Sequence, residues 1–511
     1  MTHDHDSEGQ AVSDDVKALE RLGYAQELRR GMSAFSNYAI SLSIICILAG
    51  GVTSFQVGYC SVGGASIGLG WPLSCLFSLA VAVTMGQVAS AFPTAGGLYH
   101  WASILGGRGF GWVTAWFNLA GLVTVLAAIN VGTWQFAAGA LGPRLGFDPA
   151  AWSPGRALAV QTVAVVLITA SQALVNHRGI RATTRLTDFS GYWILGVSLA
   201  ITVALIAFAP ALHGRQLITF TNYSGPRGGD VWPAQGHLPW LFVLGFLLPA
   251  YTITGFDASA HTAEETIGAQ MNVPKGIVRS VLVSGIFGWI MLSAAVIAAP
   301  HPDAAAAQGT NAFAFILGEV LPSWLATALQ AGIALAQYLC GLATVTSASR
   351  MTFAFARDGG LPASNALRKV SPRHRTPAIA IWATAGLSVA FTVYTPVYST
   401  IAAVCVIFLY VSYVIPTALG LYAWGRTWTV MGPWSVGWWY RPLSLIAVLF
   451  GGLLIVVGIQ PPNDKALWIL GGMTVVLCVG WIGIARRRFT GPPEAILGAA
   501  RGPKTTESPA A

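Results

Sequence analysis

The chain has 511 residues, of which 54% are hydrophobic and only 9% charged, and its formal net charge is +9. Soluble domains carry roughly a quarter charged residues, so the composition excludes an ordinary water-soluble fold and favours one bundle in lipid. The positive balance does not point to nucleic acid, because the basic residues sit in short breaks between apolar runs, the distribution of the positive-inside rule.

Residues 1–32 read as a polar tail, in which His3 and His5 alternate with Asp4 and Asp6. We read these histidines as solvated, and no apolar signal-peptide core precedes about residue 35. A spanning helix needs about 20 mainly apolar residues. Runs of that kind fall near 35–57, 70–92, 109–140, 157–176, 187–208 and 238–262, then near 277–299, 323–355, 377–395, 397–422, 442–460 and 466–485. The third exceeds what a bilayer requires, so tilt or protrusion is expected. Residues 491–511 form a second polar tail.

Twelve spans put both termini on one side. With the N-terminus inside, 23 of the 28 Lys and Arg residues lie inside, and only Arg144, Arg156, Arg215, Arg227 and Lys465 lie outside. That asymmetry supports a multi-pass protein of the cell (plasma or inner) membrane with both termini cytoplasmic. Trp71, Trp112, Trp152, Trp232, Trp240, Trp438, Trp439 and Trp468 fall near span ends, where aromatic rings anchor at headgroups. The six cysteines show no CxxC pairing and read as packing residues.

Two spans are interrupted. The first carries Ala49-Gly50-Gly51-Val52-Thr53-Ser54, and the sixth carries Tyr251-Thr252-Ile253-Thr254-Gly255-Phe256-Asp257. Glycine costs a helix about 1 kcal/mol relative to alanine, and unwound backbone at membrane depth persists only against protein or a wet cavity. Interrupted spans at matching positions of two halves point to a transporter binding site; close helix packing is the other reading of Gly50-Gly51. An acid near a span's centre costs roughly 2.5–3.5 kcal/mol on insertion scales and marks substrate, ion or proton pathways. Asp257 therefore reads as a functional acid or as a hydrogen-bonding group that orders the break, and both readings stay open. Asp188 and Glu319 sit nearer span ends.

Four stretches resemble the amino acid–polyamine–organocation superfamily, most closely its amino acid/choline, γ-aminobutyrate permease-like branch. They are Thr254–His261 with Glu264-Glu265-Thr266 and Asn272-Val273-Pro274-Lys275-Gly276-Ile277; Phe92-Pro93-Thr94-Ala95-Gly96-Gly97-Leu98-Tyr99-His100-Trp101; Ser349-Arg350-Met351 with Ala356–Pro362; and, more loosely, Trp116-Phe117-Asn118. The resemblance implies an all-α integral membrane protein of about 12 transmembrane helices, with a five-plus-five inverted-repeat (LeuT-like) core and broken helices 1 and 6. Repeat one would span about 33–208, repeat two about 237–422, and helices 11 and 12 about 440–486, within a transporter domain at 33–490.

The same resemblance places the substrate carboxylate on the main chain of Ala49, Gly50 and Gly51, with Val52 also in the substrate-binding set, and its amino group on carbonyls around Thr254, Gly255 and Phe256. Tyr251 or Phe256 would be the inner gate, Asn118 would line the site, and Asp257 would serve substrate or proton coupling. Thr346 and Ser347 lie near where sodium-coupled relatives hold an ion. Glu264, Glu265 and Lys275 are expected at a cytoplasmic gate, against the alternative of a solvated charged face. Two departures bear on this: Ala65 stands where the family has proline, and the fifth span lacks the lysine of one proton-coupled branch, so H+ and Na+ both stay open.

Gly64-Ala65-Ser66-Ile67-Gly68 matches a hydrolase elbow only formally, lying between membrane spans. Gly107–Gly111 has no βαβ setting. No enzyme activity, cofactor, metal or ATP hydrolysis is expected. The reading is a secondary active permease for an amino acid or related amine (γ-aminobutyrate, choline or a polyamine). A membrane nutrient sensor and quaternary-amine uptake are the alternatives; a channel lacks its filter motif.

Overall fold

The structure is a computed structural model and describes residues 2–394 and 398–500. Arg501 and Lys504 lie outside the described residues, as do the side chains of His3 and His5. Among the described residues there is no β-strand. Among the described residues ten helices are long and apolar enough to cross a bilayer, and two shorter apolar helices, Leu238–Thr252 and Ala378–Tyr394, lie where the sixth and ninth spans are expected.

The first span begins at Ala34, where the Ser33 hydroxyl accepts the Ser36 N–H at 3.1 Å and caps the helix. It runs as Ala34–Ile45, breaks, and resumes as Gly50–Thr53 and Phe55–Val62. The third span, Arg108–Leu145, has 38 residues; at 1.5 Å per residue it is about 57 Å long, so it tilts or protrudes as its length predicts. The sixth span runs as Leu238–Leu244 and Leu247–Thr252, joined through Gly245 and Phe246 with right-handed helical angles, and then breaks before resuming as Ala258–His261.

Burial sorts the spans. The apolar window of the first is 89% buried and that of the third 83%, against 22% for the fourth and 6% for the twelfth. The third span packs on the eighth (Ser323–Arg357) and the tenth (Tyr398–Ala423), and the seventh (Ala269–Ala298) packs on the first and second. The outward faces carry Leu167, Tyr192, Trp468, Val476 and Ile482, as lipid contact demands.

The N-terminal segment differs from the polar tail expected. Thr2–Arg21 is a helix, and Leu19, Leu22, Tyr24, Leu28 and Met32 are buried against the bundle. Both carboxylate oxygens of Asp15 accept main-chain N–H groups at the start of the seventh span, from Gly268 at 2.7 Å and Ala269 at 3.1 Å. Burial outweighs Arg30 and these two bonds, so the Asp15 carboxyl is held above its ordinary value. Five sparse apolar residues among charges gave no spanning signal, yet they suffice to dock the segment.

Candidate functional site

The two breaks face each other. In the first, helical pairing lapses after Ile45: the N–H groups of Ala49 and Gly50 both bond the Cys46 carbonyl, and those of Gly51 and Val52 have no partner among the described residues. A resumed helix leaves such first-turn donors free. In the sixth, the Ile253 N–H still reaches Pro249, and the chain then turns at Gly255 with φ +85. A side chain there would be strained and would also meet the Ile44 side chain at 2.2 Å. A Cβ on Gly50 would lie 2.6 Å from the Thr252 Cα.

Of the carbonyls expected to be free, two are occupied. Gly255 O accepts the Ala258 N–H, and Phe256 O accepts the Ser41 hydroxyl at 2.8 Å. The open set is shifted two residues earlier and keeps Thr254: among the described residues the carbonyls of Thr252, Ile253 and Thr254 accept no hydrogen bond. Phe256 is fully buried with its ring 4.9 Å from that of Tyr413, so it is inside the bundle, whereas Tyr251 lines a cavity.

Asp257 is wholly buried and fully engaged. Tyr413 donates to Oδ1 at 2.9 Å, Asn118 donates to Oδ2 at 2.8 Å, and His261 Nε2 lies 3.2 Å from Oδ2. The Tyr413 hydroxyl also accepts the Gly255 N–H at 3.0 Å. One hydroxyl thus ties the acid to the backbone break beside it.

Two cavities open at the end of the bundle opposite the termini. One, of about 210 Å³, is lined by Ser54, Gln56, Trp232, Tyr251 and Ala402; the other, of about 490 Å³, reaches Val52 and Thr53. The terminal face carries two buried ion pairs. Arg350 grips Glu265 with bonds of 2.8 and 3.0 Å, and Arg357 grips Glu264 at 3.0 and 2.8 Å. The Arg357 guanidinium also lies 3.8 Å from the Tyr24 ring centroid, and Tyr24, Tyr99 and His100 all contact Asp358 Oδ2. At Glu264, burial opposes ionisation, but Arg357 and the Ala95 N–H outweigh it and hold the carboxyl below its usual value.

Sequence comparison decides the class. The amino acid permease family matches residues 32–484. The chain belongs to the amino acid permease family. It is 30% identical to the amino-acid permease BAT1 of Arabidopsis thaliana, over 94% of this chain and 96% of that one. A BAT1 homolog of Oryza sativa matches at 30%, covering 93% and 94%. The GABA-specific permease of Saccharomyces cerevisiae matches at 29%, covering 72% and 64%. The protein is therefore a multi-pass amino acid transporter and not an enzyme.

Within this permease, Ala49, Gly50, Gly51, Val52, Tyr251, Thr254, Gly255 and Asp257 come together at the two breaks, and Asn118 joins them through Asp257. Thr346 is bonded elsewhere. The Thr346 hydroxyl donates to Asn176 at 2.7 Å, and the Ser347 hydroxyl has no partner among the described residues. On the eighth span, the Cys340 thiol donates to the Ile44 carbonyl beside the first break. Glu264 and Glu265 form the two ion pairs, which do not include Lys275; Asp188 accepts the Ser36 hydroxyl, and Glu319 pairs with His301 at the surface. Sequence reasoning missed His261, Tyr413 and Ser41 as partners of the break. His261 carried a legible signal, four residues after Asp257 and hence on the same helical face.

Proposed function

We propose that the permease carries an amino acid by alternating access between the broken first and sixth spans, and that this structure corresponds to the state open away from the termini. The observation that supports this most is which cavities reach the breaks: those at one end reach Val52 and Tyr251, while the cavity of about 720 Å³ on the terminal face reaches Arg357 but no residue of either break, and Glu264–Arg357 and Glu265–Arg350 pair there. The free N–H groups of Gly51 and Val52 suit a carboxylate, and the free carbonyls of Thr252, Ile253 and Thr254 suit an ammonium group. Tyr251 is the lid.

The engaged acceptors of Asp257 favour a zwitterionic substrate over choline or a polyamine, which would need a free carboxylate. The name of the yeast relative makes γ-aminobutyrate a substrate to test. The charge distribution supports a cytoplasmic terminal face in the cell membrane, and the repeats are proposed at about 33–208 and 237–422. A thermal-shift screen of the purified permease against amino acids, choline and polyamines is expected to single out amino acids. Labelled hits should then exchange across proteoliposomes. A folded protein that neither binds nor exchanges any amino acid overturns the reading.

A further inference from the structure

We propose that the cavity of about 720 Å³ on the terminal face binds the headgroup of an anionic phospholipid, whose chains lie along the start of the ninth span. The loop between the eighth and ninth spans supplies most of the lining, and that loop is basic. From Gly359 to Pro377 it carries Arg368, Lys369, Arg373 and Arg375 and no acid. It rests on the loop between the fourth and fifth spans. There the Thr376 hydroxyl donates to the His177 carbonyl at 3.3 Å, and the His177 and His374 rings lie 5.9 Å apart. The second loop adds Arg178, Arg181 and Arg185, again with no acid between His177 and Thr187. All seven cations are exposed, and among the described residues none of them joins an ion pair.

The positive-inside rule accounts for basic residues in these loops, but not for a cavity that joins them to an apolar wall. Arg368 and Lys369 line one part of it, and Ala378 and Ile379, the first residues of the ninth span, line another. From there Ile379, Trp382 and Leu387 are 43%, 44% and 54% exposed along one face of the helix. A free phosphate would use the cations alone, and an acidic peptide would leave that face bare. An anionic head joined to acyl chains meets both, and basic pockets at this depth suit such heads.

The charges around the cavity locate the phosphate. Among the described residues Glu27 is the one acid in the lining, and Arg357, which also lines it, is already gripped by Glu264. The free charge is that of Arg368 and Lys369, so the head lies against these two and beside the Glu264–Arg357 pair.

The test titrates full-length permease in an uncharged detergent with dioleoyl phosphatidylglycerol and, separately, dioleoyl phosphatidylcholine, counting bound lipid by native mass spectrometry. Phosphatidylglycerol is expected to bind one site at least tenfold more tightly. Each basic side chain beside an anionic headgroup strengthens binding about fivefold, so Arg368→Gln with Lys369→Gln should weaken it about twenty-five-fold. Arg487→Gln with Arg488→Gln, beyond the twelfth span, is the control and should leave it unchanged. Equal affinity for the two lipids, no loss in the first variant, or an equal loss in the control overturns the proposal. Glycerol phosphate is the soluble probe: if it displaces the lipid at the lipid's own concentration, the site takes free phosphate and the lipid assignment falls. If the first variant does not fold, the wild type decides with a photoactivatable phosphatidylglycerol. Crosslinks within residues 365–382 support the site, and crosslinks confined elsewhere overturn it.

Discussion

Gly50 and Thr252 meet backbone to backbone: a single added carbon on Gly50 would stand 2.6 Å from the Thr252 Cα. The first and sixth spans therefore unwind side by side, with only the Thr252 side chain among the nearest neighbours of Gly50. That closeness brings the unpaired N–H groups of Gly51 and Val52 near the unpaired carbonyls of Thr252–Thr254.

Gly50→Ala should force the two breaks apart. Overpacking of this kind costs about 1–3 kcal/mol, and uptake should fall at least tenfold. The neighbour is the control: a Cβ on Gly51 makes only an ordinary contact of 3.7 Å with Leu292. Gly51→Ala should melt close to wild type, so equal losses in both variants would argue against the close approach.

Tyr413→Phe removes the hydroxyl that accepts from Gly255 and donates to Asp257. A buried donor left without a partner costs about 1–3 kcal/mol, so the melting temperature should drop clearly. Tyr410→Phe deletes a hydroxyl that meets only Ser78, at 3.2 Å, and should be milder. Differential scanning fluorimetry of the two variants gives the comparison.

Arg350→Ala strands Glu265, which is fully buried. Removing one partner of a buried pair costs about 3–5 kcal/mol. Adding Glu265→Gln should recover part of the loss, because the unpaired charge disappears. A double-mutant cycle on thermal unfolding measures that coupling, and strictly additive losses would show the pair to be weak.

Asp358 sets an acid limit. Burial opposes its ionisation, but His100, Arg357 and Tyr24 outweigh burial and hold the carboxyl below its ordinary value. A depressed carboxyl adds stability that is present above the unfolded value of about 3.9 and is lost as pH falls below it. Asp358→Asn should therefore melt below wild type at pH 7, and the gap should close below about pH 4. A gap that stays constant down to acid pH would show that ionisation of Asp358 contributes nothing.

The span count, the two breaks and Asp257 were legible because each is a local signal: a run of apolar residues, a glycine within it, an acid where none is expected. The partners were not. Arg350 finds Glu265 across 85 residues and Asn118 finds Asp257 across 139, and no periodicity records such pairings. Thr346 shows the same limit from the other side. Its position along the eighth span suited an ion site, but the rotation of that helix turns it to Asn176 and brings Cys340 to the break. The docked N-terminus escaped notice because five apolar side chains among charges look like an ordinary tail.

That docking also has a bearing on biosynthesis. Asp15 bonds a residue 253 positions later in the chain, and Tyr24 bonds one 334 positions later. A ribosome adds roughly 5–20 residues per second, so the first segment to emerge waits tens of seconds for the groups it will touch. The part made first thus waits for partners made much later, and a nascent permease stays unlatched on that side until its eighth span is in place.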